Sequence, residues 1–235
     1  MKIALLGYGK MGKVIERIAL ERGHEIVLKK DQNNTFEGLS IADVAIDFSV
    51  PDSAVANISE CLNNGIPVIS GTTGWLADYP KMVQLCEEKN GSFIYASNFS
   101  LGVNVFFELN EYLAKMMTNL KQYNVSMEEI HHTQKLDAPS GTAITLAEGV
   151  IKHTDYANWT LETPISNEIH IEAKRIENVP GTHSIFYDSE VDQIEIKHTA
   201  HSREGFALGA VVAAEWLVGK KGVFTMKDVL GLNSK

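Results

Sequence analysis

The alternation of short apolar runs with amphipathic stretches over residues 2–98 constrains the fold of this chain more than any other feature. Each apolar run is followed by a stretch with apolar residues at helical spacing, and the connections between them are short. Strands joined through helices pair in parallel. The pattern therefore predicts an α/β domain with a Rossmann-like, doubly wound parallel sheet. Its predicted strands are residues 2–6, 24–30, 43–49, 66–70 and 92–97.

The pattern changes after residue 98. A strand over 124–132 and a helix over 140–153 are followed by runs of period two without helices between them. These runs are residues 168–176, 183–188 and 192–200. Successive strands without crossover helices predict a second domain of α+β type that contains an open mixed sheet. We expect residues 99–202 to form this domain, and residues 1–98 plus 203–235 to form the first.

A helix is predicted over residues 103–117, at the start of the second domain. Its apolar residues recur at helical spacing and are expected to share one buried face. They are Val105, Phe106, Leu109, Tyr112, Leu113 and Met116. The last segment, residues 204–235, is also predicted to be helical.

Composition narrows the possible partners. The formal net charge of −9 argues against a nucleic-acid binder, which needs a basic face to neutralise phosphates. The chain opens directly on a strand pattern, and the apolar run 206–214 is too short to span a bilayer, so we expect a cytoplasmic protein without a membrane partner. Cys61 and Cys86 lie in helical stretches without metal-ligand spacing, which predicts reduced packing thiols.

The segment "GYGKMG" (7–12) places glycines at the end of the first strand and the start of a helix. Such a turn lets backbone N–H groups approach a pyrophosphate at the helix N-terminus. The end of the second strand offers Lys29, Lys30 and Asp31 instead of a single acid. A cation there tolerates a 2′-phosphate, so we expect both NADH and NADPH to serve, with NADPH at least as good. The alternative is that the lysines are solvated surface residues.

Small polar residues also follow the later strands of the first domain. The segments "GTTGW" (71–75) and "ASNFS" (96–100) lie where open α/β sheets place their ligands. They can line the nicotinamide end of a dinucleotide, and Asn98 can hold its carboxamide. The alternatives are an ordinary turn for the first segment and a helix cap for Asn98.

The segment "HHTQKLDAPSGTA" (131–143) gathers protonatable groups ahead of a predicted helix. His131 and His132 are consecutive at a strand end, so they point to opposite faces. Lys135 follows in the loop, and residues 140–142 offer unpaired N–H groups suited to a carboxylate. The arrangement predicts a site that binds an anion and delivers a proton. The alternative is a capped helix after a solvated loop, with Asp137 as a turn or helix-start residue.

Other polar residues receive structural interpretations. His198 and His201 face opposite sides of a strand, so no metal site is predicted there. Arg203 is expected to have a structural role. The remaining histidines are expected at the surface or in satisfied core positions; they are His24, His153, His170 and His183.

Taken together, the motifs resemble the dihydrodipicolinate reductase family over nearly the whole chain. In chain order they are "GYGKMG", "AIDFS", "GTTGW", "SNFSLGVNV", "EIHHTQKLDAPSGTA" and "RxxFALGA". The resemblance implies NAD(P)H-dependent reduction of 4-hydroxy-tetrahydrodipicolinate, a small cyclic dicarboxylate, in lysine and diaminopimelate biosynthesis. It also implies a homotetramer built through the open sheets of the second domain. The chain departs from the family in being short between the second strand and "AIDFS", and in lacking the simple acid pattern after that strand.

The resemblance also implies roles for individual residues. His131 is the proton donor or acceptor and Lys135 the proton donor. The expected substrate-binding residues are His132, Ser140, Gly141 and Thr142. The expected cofactor-binding residues are Gly7, Tyr8, Gly9, Lys10, Met11 and Gly12 at the pyrophosphate, and Gly71, Thr72, Thr73, Ser97, Asn98 and Phe99 at the nicotinamide. Lys30 is expected at the ribose because of its position at the end of the second strand.

Two other functions remain open at the level of sequence. A related two-domain dehydrogenase acting on another amino-acid-like acid, such as aspartate, would keep the glycine turn but has no need of residues 131–143. A redox-sensing regulator would bind the nucleotide without turnover.

Overall fold

A computed structural model describes residues 1–31, 35–202 and 204–232. The chain divides into two compact units, Met1–Leu101 with Glu204–Lys235, and Gly102–Arg203. The structural role predicted for Arg203 falls outside the described residues. Within the described part of the chain, we find no helix with the length and apolar character needed to cross a membrane.

The elements follow in chain order. The strands are β1 Lys2–Leu6, β2 Glu25–Lys30, β3 Val44–Asp47, β4 Val68–Ser70, β5 Ser92–Tyr95, β6 Asn124–His131, β7 Asn158–Thr160, β8 Glu168–Arg175, β9 Gly181–Asp188, β10 Gln193–Ala200 and β11 Gly222–Phe224. The helices are α1 Lys10–Glu21, α2 Pro51–Asn63, α3 Tyr79–Glu88, α4 Leu101–Met117, α5 Gly141–Ile151, α6 Glu204–Leu217 and α7 Met226–Leu230.

The first unit contains a six-stranded parallel sheet in the order β11-β5-β4-β3-β1-β2. Its strands bury both faces because successive side chains point to opposite sides. On one side Ile3 and Leu5 pack with residues of α1 and α6. On the other side Ala4 and Leu6 pack with residues of α2 and α3. The predicted doubly wound, Rossmann-like sheet is therefore confirmed.

The C-terminal segment differs from the prediction of helix throughout. It contains α6 and α7, but also β11, which pairs in parallel with β5 and completes the sheet. Three residues, Gly222–Phe224, are too few to show a period of two, so this strand has no pattern signal. Helix α6 passes so close to the chain at Phe99 that a Cβ on Gly209 would lie 1.7 Å from the Phe99 carbonyl oxygen.

The second unit contains a five-stranded mixed sheet in the order β10-β9-β6-β8-β7. Strands β9 and β10 run antiparallel to their neighbours, whereas β8 pairs in parallel with β6 and β7. Helices α4 and α5 cover one face of the sheet. The predicted α+β domain with a mixed sheet is confirmed, although the short strand β7 was not predicted.

The predicted buried face of α4 is wrong in part. Phe106 and Leu113 are buried as expected, but four of the apolar residues are about half exposed. These four are Val105, Leu109, Tyr112 and Met116. The observed buried face lies roughly 90° further round the helix, at 100° per residue, and it includes Asn110, whose amide donates to the Leu146 carbonyl oxygen of α5 at 2.9 Å. A polar residue was buried because a neighbouring helix supplies its partner.

Candidate cofactor and substrate sites

The glycine turn after β1 is held by the neighbouring strand. Gly7 has a φ of +100°, a conformation that L side chains rarely adopt. The N–H groups of Gly7 and Tyr8 both donate to the Lys30 carbonyl oxygen, at 2.9 and 3.0 Å. A Cβ on Gly7 would lie 2.1 Å from the Phe48 carbonyl oxygen. The turn therefore requires glycine at this position.

The other two glycines of the motif have different surroundings. A Cβ on Gly12 would lie 2.4 Å from the Gly7 carbonyl oxygen, so Gly12 lets α1 pack against the turn. A Cβ on Gly9 would have no atom within 4 Å, and Gly9 is the N-cap of α1 without a side-chain capping bond. Lys10 begins the helix at the surface, and Met11 packs partly against the core. The N-terminus of α1 thus faces open space, as a pyrophosphate site requires.

Two lysines lie beside this turn at the end of β2. The Lys29 ammonium pairs with Glu16 and lies 5.2 Å from the centroid of the Tyr8 ring, while the Tyr8 hydroxyl donates to Glu16. The Lys30 ammonium lies 4.9 Å from the centroid of the Phe36 ring. Residues 32–34 are outside the described residues.

A buried carboxylate organises the ends of β3 and β4. Asp47 has no solvent exposure and accepts four side-chain hydrogen bonds of 2.7 to 2.8 Å. The donors are Ser49, Asn57, Ser70 and Thr72. Burial raises the pKa of Asp47, and the four hydrogen bonds only partly offset this effect. The Thr72 hydroxyl is therefore used within the fold, and the Thr72 carbonyl oxygen accepts from the Trp75 indole N–H at 2.6 Å.

Asp47 was not predicted to have a role, and we expect it to be important for stability. Asp47→Ala leaves four donors, three of them buried, without their acceptor, which costs about 2–4 kcal/mol of unfolding free energy. Chemical denaturation measures this loss. Asp52→Asn, an exposed change in the first turn of α2, is the control and should cost at most about 0.5 kcal/mol. Equal effects of the two substitutions would contradict the role of the buried network.

The predicted nicotinamide segments meet around one aromatic ring. A Cβ on Gly71 would lie 2.3 Å from the Phe48 ring, and the ring centroids of Phe48 and Phe99 are 5.8 Å apart. Phe99 is buried in the core. The Asn98 side chain accepts a hydrogen bond from the Ser100 N–H at 2.9 Å, immediately ahead of α4. Ser97 is exposed, and Thr73 lies exposed in the turn before Gly74.

In the second unit, the buried face of β6 becomes polar toward its carboxyl end. Val125 and Met127 pack in the core, and Glu129 and His131 continue the same face because they follow at intervals of two. Glu129 is opposite His183 of β9, and His131 is opposite Arg175 of β8. The sheet register therefore gathers four polar side chains on the helix-covered face.

His131 is buried within this group. Its Nδ1 lies 3.5 Å from a Glu129 carboxylate oxygen, and its ring centroid lies 5.1 Å from that of His183. Burial lowers the pKa of His131; the Glu129 carboxylate opposes this shift, whereas Lys135 and Arg175 add to it. Burial lowers the pKa of His183 to about 3, so that imidazole is neutral at physiological pH.

His132 contacts a different group of residues. It lines a cavity of about 290 Å³ together with Thr133, Gln134 and residues 177–180. The two adjacent histidines thus lie in different places in the second unit, His131 in the buried polar group and His132 beside this cavity. A larger cavity of about 870 Å³ is lined by residues around the end of α4 and the start of β6, and its lining includes none of the predicted site residues.

The loop after β6 holds Lys135 in an ion pair. The Lys135 ammonium lies 2.7 and 2.8 Å from the two carboxylate oxygens of Asp137. Burial raises the pKa of Asp137, but the hydrogen bond from Lys135, a backbone hydrogen bond and the charges of Lys135 and Arg175 together outweigh burial and lower the pKa overall. Asp137, expected to be a turn or helix-start residue, instead lies in irregular structure ahead of α5 and is the partner of Lys135.

The predicted anion site lies at the start of α5. Ser140 is the N-cap, and its hydroxyl accepts from the Ala143 N–H at 3.2 Å and lies 3.2 Å from the His183 Nε2. A Cβ on Gly141 would have no atom within 4 Å. The first turn, which includes Thr142, therefore presents N–H groups beside open space, and these can receive a carboxylate.

Sequence reasoning missed Glu129, Arg175 and His183. The signal for Glu129 was present, since it shares the buried face of β6 with His131. Glu129, His131 and His183 form the one group of metal-ligand type among the described residues, with ligand atoms within 4.8 Å of one another. However, the Arg175 guanidinium lies 3.2 Å from Glu129, and a positive charge in that place disfavours a bound dication.

The first unit has a glycine turn between the first strand and helix of a doubly wound sheet. The second unit presents a buried histidine, a lysine and a helix N-terminus. Together these features define the class of two-domain proteins that bind a dinucleotide and a small anion. The family models "Dihydrodipicolinate reductase, N-terminus" and "Dihydrodipicolinate reductase, C-terminus" match residues 1–99 and 102–230. The chain belongs to the dihydrodipicolinate reductase family.

Individual relatives agree with this membership. The chain is 59% identical over 234 residues to the 4-hydroxy-tetrahydrodipicolinate reductase of Christiangramia forsetii, covering 98% of each chain. It is 35% identical to the enzyme of that name from Archaeoglobus fulgidus, covering 98% of this chain and 100% of the relative. A solved structure of dipicolinate-bound dihydrodipicolinate reductase from Paenisporosarcina sp. TG-14 has a TM-score of 0.77 at 21% identity, covering 96% of this chain and 97% of that one, and shows the same fold.

Proposed function

We propose that this chain reduces 4-hydroxy-tetrahydrodipicolinate to tetrahydrodipicolinate with NADPH or NADH, as a step of lysine and diaminopimelate biosynthesis. The 59% identity with a reductase of that name, over 98% of both chains, carries the proposal. Residues 1–98 with 203–235 bind the dinucleotide, and residues 99–202 bind the small dicarboxylate. The buried thiols of Cys61 and Cys86 support a reducing, cytoplasmic location.

The cofactor site is supported by the open N-terminus of α1. Gly7 and Gly12 form the tight turn, and Gly9 leaves space for the pyrophosphate, with Tyr8, Lys10 and Met11 completing it. Lys30 is proposed at the ribose. The segments Gly71–Thr73 and Ser97–Phe99 are proposed to contact the nicotinamide. The Phe48 ring lies against Gly71 and near the Phe99 ring.

The substrate site is supported by the cluster around β6 and α5. The N–H groups of Gly141 and Thr142 at the start of α5, supported by the N-cap Ser140, bind one carboxylate, and His132 makes a further substrate contact. The reduced nicotinamide supplies a hydride when it is bound. The electron density displaced in the ring must be met by a proton, which Lys135 or His131 delivers.

A homotetramer formed through the open face of the mixed sheet is part of the proposal. Strand β10 supports it, because this eight-residue strand at the sheet edge is exposed along most of its length. Light scattering coupled to size exclusion should give four times the mass of the 25.9 kDa chain. A monomer at micromolar concentration would contradict this assembly.

A coupled assay tests the function. The substrate is generated from pyruvate and aspartate semialdehyde by the synthase, and absorbance of the reduced nicotinamide is followed. Oxidation of NADPH that depends on the synthase product supports the proposal, and oxidation of NADH is expected as well. Nucleotide binding without oxidation would favour a regulator, and activity only with aspartate would favour the related dehydrogenase. A strong preference for NADH would contradict the expectation that NADPH is at least as good.

A further inference from the structure

Glu129 lies at the centre of the proposed substrate site without any solvent exposure. One carboxylate oxygen accepts from the Ser140 N–H at 3.0 Å, and the other accepts from Arg175 at 3.2 Å. His131 and His183 lie 3.5 and 3.8 Å away. A buried carboxylate is expensive unless it is paired and hydrogen-bonded, and here Arg175 and the Ser140 N–H supply both kinds of partner.

Arg175 connects this carboxylate to the lysine loop. Its guanidinium donates to the carbonyl oxygens of Lys135 at 3.3 Å and Asp137 at 2.6 Å, in addition to Glu129. A further bond goes to the Lys174 carbonyl oxygen at 2.8 Å. A planar guanidinium can make these bonds at once because its donors form a rigid fork. The pair thus holds the loop between β6 and α5 at two places, at Lys135–Asp137 and at Ser140.

We infer that the buried Glu129–Arg175 pair is the positioning element of the substrate site. Its carboxylate holds the N-terminus of α5, where the substrate carboxylate binds, and its guanidinium holds the backbone that carries Lys135. The inference rests on the proposed function, since it assigns residues to that same site. Neither residue touches the substrate in this account; both act through the groups that do.

The pair also sets the charge state of His131. The groups that face His131 are Glu129 on its own strand, His183 on β9, Arg175 on β8, and Lys135 and Asp137 in the loop. Burial lowers the pKa of His131, and Glu129 is the foremost group that opposes this. His183 is neutral at physiological pH and cannot compensate for the loss of Glu129. Removing the Glu129 charge should therefore lower the pKa of His131 further.

The first test compares Glu129→Gln with Glu128→Gln. Glu128 is the adjacent residue of β6 and faces the other side of the sheet, where it pairs with Lys174. For Glu129→Gln we expect kcat/KM for the dicarboxylate to fall about 10- to 100-fold, since hydrogen bonds to a buried charge are lost, with KM for NADPH unchanged. NMR titration of ¹³C-labelled histidine should show the His131 midpoint at lower pH. The control should change none of these quantities.

A second variant tests whether Arg175 acts by holding the loop or only through its positive charge. Arg175→Lys keeps the positive charge beside Glu129 but has no fork to hold both loop carbonyls. We expect kcat to fall about 10-fold or more, while the thermal unfolding midpoint stays close to that of the wild type. Wild-type kcat in Arg175→Lys, or an unshifted His131 midpoint together with wild-type kcat/KM in Glu129→Gln, would overturn the inference.

Failure of the inference can be told apart from failure of the proposed function. If the wild-type protein does not oxidise NADPH with the synthase product, the proposed function is wrong. The titration of His131 does not depend on turnover, so it still tests whether the Glu129 carboxylate acts on His131. A midpoint at lower pH in Glu129→Gln supports the pairing of these residues, and an unchanged midpoint rejects it.

Discussion

Lys135→Ala should lower kcat by about 10²–10⁴-fold, the range by which a positioned general acid accelerates proton transfer. The KM for NADPH should stay within about twofold of the wild-type value, since in the proposed mechanism the ammonium acts in the transition state of the reduction and not in binding of the dinucleotide. The structure gives a reason to expect that the loss of kcat comes from the missing ammonium and not from displacement of the loop. The ammonium is held by Asp137 at 2.7 Å, and the loop backbone is held independently by Arg175, so the truncation removes the charge without releasing the loop. Steady-state kinetics with the coupled substrate measures both parameters.

The control for this substitution is Lys121→Ala. Lys121 is an exposed lysine of the same unit that pairs with Asp155, and it should leave kcat unchanged. Full kcat in Lys135→Ala would assign proton delivery to another group, with His131 as the remaining candidate.

Gly9→Ala is expected to reduce affinity for NADPH at least tenfold, about 1.4 kcal/mol of binding free energy, without loss of fold stability. A Cβ at this N-cap has no protein atom within 4 Å, so the folded protein accommodates it. The methyl group would instead occupy the space through which the pyrophosphate approaches the backbone N–H groups of α1. Calorimetric titration with NADPH and a thermal melt of the same sample measure the two quantities.

Gly7→Ala provides the contrast. Its Cβ would lie 2.1 Å from a backbone oxygen, and its φ of +100° strains any L side chain, so this variant should lose about 3 kcal/mol or more of unfolding free energy. Normal NADPH affinity in Gly9→Ala would contradict the proposed pyrophosphate site, and unchanged stability in Gly7→Ala would contradict the described turn.

Local patterns were sufficient to predict most of the first unit. The glycine turn is specified by three residues within one short segment, and the strands of a sheet buried on both faces are short apolar runs with clear ends. The strand at Gly222–Phe224 escaped prediction because three residues carry no period. The buried face of α4 was misplaced because apolar residues extend around more than one side of that helix. Only packing against α5 and the mixed sheet decides which side is covered.

The residues of the candidate site likewise divide into those that the sequence predicted and those that only the structure revealed. The segment 131–143 predicted the histidine, the lysine and the helix start of the site, since all of them are close together in the chain. Arg175 and His183 are more than 40 positions from His131 in the chain, and they reach it only through the registers of β8 and β9. Asp47 likewise acquires its four donors from three separate segments.

By itself, the sequence determined the α/β architecture of the first unit, the glycine turn and the family of the chain, because each depends on residues that are neighbours along the backbone or on an ordered series of such motifs. The tertiary structure alone decided which groups surround His131 and which face of α4 is buried. Those outcomes depend on strand register and on desolvation by distant segments, and neither quantity is encoded in any one local stretch.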